Sequence, residues 1–156
     1  MPKSNPPVTF QVMHDRDHFA DVAAMMSRLY AEDPAQHPIN PRSFPKTLRF
    51  LLANPSRGRV ILLKKHRQLV GYALLIPFWS NEFAGTLLFI DELFVLPQHR
   101  GHGIATTFFS RLKLHPPFNA IALALEVTRT NRRAKRLYQS LGFVRRTNEI
   151  LVLRRS

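Results

Sequence analysis

The stretch from Ile90 to Ala105 restricts the fold of this chain more than any other, because an apolar strand there runs into a proline, two glycines and then a helical pattern. The strand must end at Pro97, which has no N–H to give a sheet ladder. Gly101 and Gly103 let the backbone turn tightly and come close to a ligand. Ile104, Phe108 and Leu112 then recur on one helical face. A helix that opens after such a turn points free N–H groups and the positive end of its dipole at the turn, an arrangement suited to a phosphate or pyrophosphate. Arg100 adds a fixed positive charge to this anion cradle.

Two common nucleotide sites do not fit the pattern. A P-loop requires Gly-Lys-Ser/Thr after its glycines, and none follows here. A Rossmann turn leaves its strand directly into the glycines and carries a third glycine where this chain has Thr106. Glu126 closes the next apolar run as a Rossmann acid would, yet too little of the 156-residue chain follows it for a dinucleotide fold.

A third pattern does fit. Val95-x-Pro97-Gln98-x-Arg100-Gly101-x-Gly103-x-Ala105 resembles the acetyl-CoA motif of the GNAT superfamily of N-acetyltransferases, Gln/Arg-x-x-Gly-x-Gly/Ala. Further on, Asn131-x-x-Ala134-x-x-x-Tyr138-x-x-x-Gly142-Phe143 is similar to the second motif of that family, in the expected order and at the expected distance. The resemblance in order of elements covers about residues 8 to 154, with its specific residues concentrated between 90 and 143.

Length and composition fit a single domain over residues 1–156, since 45% apolar residues can bury a sizeable core and no linker divides the chain. There is no cysteine, hence neither a disulfide nor a thiol nucleophile, which favours direct transfer over a covalent relay. Met1 to Pro7 lacks the apolar core of a signal peptide, and the longest apolar run, Leu69 to Trp79, is too short to span a bilayer. A cytoplasmic protein without a membrane partner is expected. The formal charge of +13 suits an anionic cofactor, a nucleic acid or an acidic protein surface equally well.

Taken in order, Val8 to Met13 reads as a strand, and Phe19, Val22, Met26, Leu29 and Tyr30 as the buried face of a helix that Asp15 or Asp17 can cap. A polar loop, Ala31 to Pro41, leads to a second helix from about Ser43. Arg59 to Lys65 and Leu69 to Phe78 read as a hairpin, and Thr86 to Leu96 as the next strand. A helix after the glycines ends before Pro116-Pro117. Ala120 to Val127, apolar but for Glu126, reads as a central strand buried on both faces. Asn131 caps a last helix that Gly142 closes, and Phe143 to Arg146 and Glu149 to Leu153 read as two final strands.

The resulting order, β-α-α-β-β-β-α-β-α-β-β, is an α/β arrangement with a mixed central sheet and helices on both faces. The GNAT resemblance implies that the parallel strands ending at Val95 and Val127 splay to form the acetyl-CoA cleft. There the pantetheine arm would meet backbone groups of Leu93, Phe94 and Val95. The cofactor-binding set it implies continues through Gln98, Arg100, Gly101, His102, Gly103, Ile104, Ala105 and Thr106 to Asn131 and Tyr138.

Acetyl transfer to an amine needs a base, because an alkyl ammonium with a pKa of about 10.4 is protonated at neutral pH. Asp91 and Glu92 are adjacent on a strand and by alternation face opposite ways, so that one of them faces the acceptor. The resemblance to polyamine and aminoglycoside members implies Asp91 for this role. Glu92 is the reserve, because a bulge would exchange the two faces. Tyr138 matches the family tyrosine that protonates the departing thiolate; by its helical spacing alone it also fits a core aromatic.

For the acceptor, the candidate contacts are Tyr30 in the first helical region and Trp79 and Glu82 in the loop before the Thr86 strand. His99 and His102 flank the turn without a third ligand in sequence, so no metal is expected. Arg129, Arg132, Arg133 and Arg136 either meet cofactor phosphates or form a solvated basic face. The implied activity is acetyl-CoA-dependent N-acetylation of a primary amine on a small molecule or protein. The alternative is a non-catalytic module of the same fold that binds nucleic acid or an acidic protein through its basic surface. Nucleic acid is not the expected partner, and a homodimer is a possible assembly.

Overall fold

The structure, a computed structural model, describes residues 7–155. Residues Met1 to Pro6 of the leader reading lie outside them. One five-stranded sheet runs in the order β1-β2-β3-β4-β5, formed by β1 (Thr9–Val12), β2 (Arg59–Lys65), β3 (Gln68–Ser80), β4 (Gly85–Val95) and β5 (Ala122–Leu125). The first four strands pair antiparallel and β4–β5 alone is parallel. Among the described residues four α-helices flank the sheet: α1 (Phe19–Glu32), α2 (Phe44–Ala53), α3 (Ile104–Leu114) and α4 (Arg132–Ser140).

Alternation along the strands divides the core in two. On one face Val60, Leu62, Leu74 and Phe94 pack against Val22, Met25 and Met26 of α1 and Leu48 and Leu51 of α2. On the other face Ile61, Leu63, Leu75, Leu88 and Ile90 pack against Ile104, Phe108, Phe109 and Leu112 of α3. A sheet covered on both sides needs apolar residues at successive positions, which is why Val70 and Tyr72 to Leu75 are all buried. Among the described residues no helix is long and apolar enough to cross a membrane.

Three expectations are corrected. The Ala120–Val127 run forms only a four-residue strand, and β5 is the last strand of the sheet rather than a central one. Phe143 to Arg146 and Glu149 to Leu153 form no strands. Both errors have one origin: a strand is completed by its neighbour, and β propensity measures fitness for a paired surface rather than the pairing itself. Val144, Ile150, Leu151, Val152 and Leu153 are instead 85%, 70%, 90%, 76% and 93% exposed, while Arg146 is tied to Glu82 at the β3–β4 turn, 2.6 Å apart. Finally, neither Asp15 nor Asp17 caps α1. His18 occupies that position without a side-chain capping bond, and Asp15 accepts from the Asp17 N–H at 3.0 Å.

Candidate functional site

The parallel ladder between β4 and β5 lasts only from Leu87↔Ala122 to Ile90↔Leu125. Beyond it the strands part, and a cavity of about 710 Å³ opens beside Leu93, Phe94 and Val95. The glycine turn forms one wall, α4 another, and the end of α1 a third, through Leu29, Glu32 and Asp33.

In the turn, Gly101 and Gly103 take left-handed φ values of +78° and +76°. A Cβ on Gly103 would meet no protein atom, so the space in front of it faces the cavity. Gly103 begins α3 without a side-chain cap, and the first backbone bond runs from Thr107 N–H to Gly103 O at 2.9 Å. The N–H groups of Ile104, Ala105 and Thr106 therefore have no partner among the described residues, and all three residues line the cavity. Arg100 does not stand free. Its Nε donates to Val95 O at 2.7 Å, its Nη2 meets Glu32 at 2.8 Å, and its guanidinium lies 5.2 Å from the Phe94 ring centre. Gln98 and His102 are outside the lining, whereas His99 is within it.

From α4, Asn131 and Tyr138 reach the same cavity. Asn131 is the expected cap: its Oδ1 accepts from Ala134 N–H at 3.1 Å, and its Nδ2 donates to Asp33 at 3.3 Å. Tyr138 packs edge-on against Phe109 and Phe143, at 5.7 Å and 5.8 Å, so it is partly the core aromatic its spacing allows. Its hydroxyl has no hydrogen-bond partner among the described residues. Burial first, and then the charge of Asp33, push its pKa above that of an ordinary phenol, which keeps the proton on the oxygen at neutral pH. Gly142, at φ +94°, closes the helix as expected, with Phe143 N–H bonded back to Tyr138 O at 3.0 Å.

The two candidate carboxylates are related by a bulge. Leu75 pairs with Ile90 and Leu74 with Glu92, so Asp91 is an extra residue without a β3 partner. Phe89, opposite Ile76, and Glu92, opposite Leu74, face the α1–α2 side three positions apart rather than two. Strict alternation, which would send Asp91 and Glu92 to opposite faces, is broken here. Glu92 is buried, and both its oxygens are taken: Tyr30 of α1 donates to one at 2.5 Å and Tyr72 of β3 to the other at 2.8 Å. Burial raises the pKa of Glu92, and the two hydrogen bonds oppose that rise. Asp91 reaches solvent, but the protein around it still thins its hydration. That burial, followed by the negative charge of Glu126, raises its pKa.

The remaining acceptor candidates lie apart. Trp79 is 70% exposed near the end of the β3–β4 hairpin, and Glu82 is occupied by Arg146; neither lines the cavity. Of the four arginines around the start of α4, Arg133 alone lines it. Sequence reasoning missed Glu32, Asp33 and Tyr72. The first two could have been suspected as an acidic pair at the end of a helix in a chain of charge +13. The third was visible as the one hydroxyl inside the apolar run Leu69 to Phe78.

The acetyltransferase (GNAT) family model matches residues 23–143. Solved structures share the fold across almost the whole chain. A possible acetyltransferase from Clostridium difficile 630 is 19% identical, with 96% of this chain and 98% of that one covered at a TM-score of 0.81. The aminoglycoside N-acetyltransferase AAC(6')-Iy in complex with CoA is 16% identical, with 100% and 99% covered at 0.77. A predicted acetyltransferase from Clostridium acetobutylicum, solved with acetyl-CoA, is 18% identical, with 95% and 96% covered at 0.73. No curated protein matches. At these identities the likeness to solved structures is one of fold.

Proposed function

Because the chain belongs to the acetyltransferase (GNAT) family, whose cofactor is acetyl-CoA, we propose that it transfers an acetyl group directly to a primary amine of a small molecule or protein. One observation carries this reading: the glycine turn with its three unpartnered N–H groups and the unpartnered hydroxyl of Tyr138 line one cavity, where β4 and β5 part. The residues present fit the cofactor. Backbone N–H groups from Ile104 to Thr106 at the positive end of α3 suit its pyrophosphate, and the β4 residues Leu93 to Val95 suit its extended arm. Asn131 and Arg133 stand on the opposite wall.

When bound, acetyl-CoA supplies the acetyl group as a thioester, whose C–S bond is exchanged for the C–N bond of an amide. Asp91 accepts the proton of the acceptor ammonium, directly or through water, in keeping with its access to solvent and its raised pKa. Tyr138 holds the proton that the departing sulfur requires. Glu92, closed by two tyrosine hydroxyls, has no free oxygen to offer and remains in reserve. Tyr30 reaches the acceptor side through this same clamp, while Trp79 and Glu82 would form an outer rim. The activity resides in one acetyltransferase domain over residues 1–156.

The test is thiol release from acetyl-CoA measured across alkyl, aromatic and protein amines. Turnover with at least one primary amine is expected, and release no faster than hydrolysis with every amine, by protein that binds CoA in a calorimeter, overturns the reading. The cofactor half is tested separately by Gly103→Val. Its branched side chain, held at a left-handed φ, would project into the cavity and abolish CoA binding. Unchanged CoA affinity in the folded variant contradicts the assignment.

A further inference from the structure

The last rung of the parallel ladder, Ile90↔Leu125, is followed on β4 by Asp91 and on β5 by Glu126. Two carboxylates thus succeed one another across the point where the sheet divides. Neither has a hydrogen bond or an ion pair among the described residues. The chain holds 23 Lys and Arg against 10 Asp and Glu, so cations were plentiful, yet none neutralises this pair. The ionisable groups whose charge or proton is coupled to Asp91 are Glu92 beside it on β4, the phenols of Tyr30 on α1 and Tyr72 on β3, and Glu126 on β5.

We infer that Glu126 is a positioning residue for the transfer, acting through its charge on Asp91 across the point where β4 and β5 part. This rests on the reading of Asp91 as the base. An aspartate of ordinary pKa, about 3.9, holds a proton poorly at neutral pH and abstracts one from an ammonium only weakly. A like charge across the split disfavours the ionised form of Asp91 and so raises its affinity for a proton. Burial on the other sides works in the same direction. Glu126, exposed and without a partner, is not required to hold the sheet together.

The experiment follows the Asp91 carboxyl carbon by NMR in protein labelled at aspartate, with the resonance assigned by its loss in Asp91→Asn, alongside pH profiles of kcat/KM. Glu126→Gln is expected to move the Asp91 titration and the acid limb of the profile downward together and to lower the plateau. Glu126→Asp, which keeps the charge, restores both in part. The midpoint of thermal unfolding stays unchanged in both variants. An Asp91 titration that is the same in wild type and Glu126→Gln, or equal in the Gln and Asp variants, overturns the inference. A different result strikes the underlying reading: if Asp91→Asn keeps the turnover and acid limb of wild type, Asp91 is not the base, whatever Glu126 does to its titration.

Discussion

The two edges of β4 are built differently. Toward β3 the strand is paired along its length, from Ser80↔Gly85 to Gly71↔Val95, with a single interruption at Asp91. Toward β5 it is paired at four positions and then abandoned. The closed edge leaves its backbone little freedom. The open edge leaves the same residues, Leu93 to Val95, facing a cavity. One strand therefore serves as scaffold on one side and as part of the site on the other, and the rigidity of the first edge holds the second open to a ligand.

This contrast can be tested by damaging one edge at a time. The largest effect belongs to the open side. Tyr138→Phe keeps the ring against Phe109 and Phe143 but removes the proposed proton donor, so kcat should fall by about 10²–10⁴-fold. CoA affinity and the unfolding midpoint should stay near those of wild type. Full turnover by this variant would return Tyr138 to a packing role. On the closed edge the reverse is expected. A Cβ at Gly71 would collide with the carbonyl oxygen of Phe94, a backbone atom that cannot step aside cheaply. Gly71→Ala should cost about 1–3 kcal/mol in denaturant unfolding, as overpacking does, and should leave the Asp91 pH dependence in place where the protein is folded. The smallest effect lies beyond both edges. Leu151 is 90% exposed, so Leu151→Ser should change stability by no more than about 0.5 kcal/mol. A larger loss would mean that the terminal segment pairs with the free side of β5 in solution and that β5 is then no longer the edge of the sheet.

Features of the site that depend on local chemistry could be read from the residues. Pro97, Gly101 and Gly103 announce the end of a strand and a tight turn whatever surrounds them, and the spacing of Ile104, Phe108 and Leu112 announces the helix. Asn131 caps as its side chain dictates. Features that depend on pairing could not be read. The bulge at Asp91 is a relation between two strands, invisible in either alone, and it changes which way the two carboxylates stand. The clamp on Glu92 joins residues 20 and 62 positions away in sequence. The same holds for Ile150 to Leu153, whose composition suits a strand but whose neighbour is missing.

One consequence follows from the final turn of α1. Tyr30 bonds Glu92 under the β4 bulge, Glu32 bonds Arg100 in the glycine turn, and Asp33 bonds Asn131 at the start of α4. Three residues within four positions thus tie the end of α1 to the β4 bulge, the glycine turn and the start of α4. On the proposed function, a lineage that altered this turn to accept a new amine would disturb its grip on CoA at the same stroke, whereas Trp79, 70% exposed at the hairpin end, could change without touching it. On that reading the helix works as an evolutionary lock: diversity is expected at the periphery, and constraint where one turn would serve two ligands.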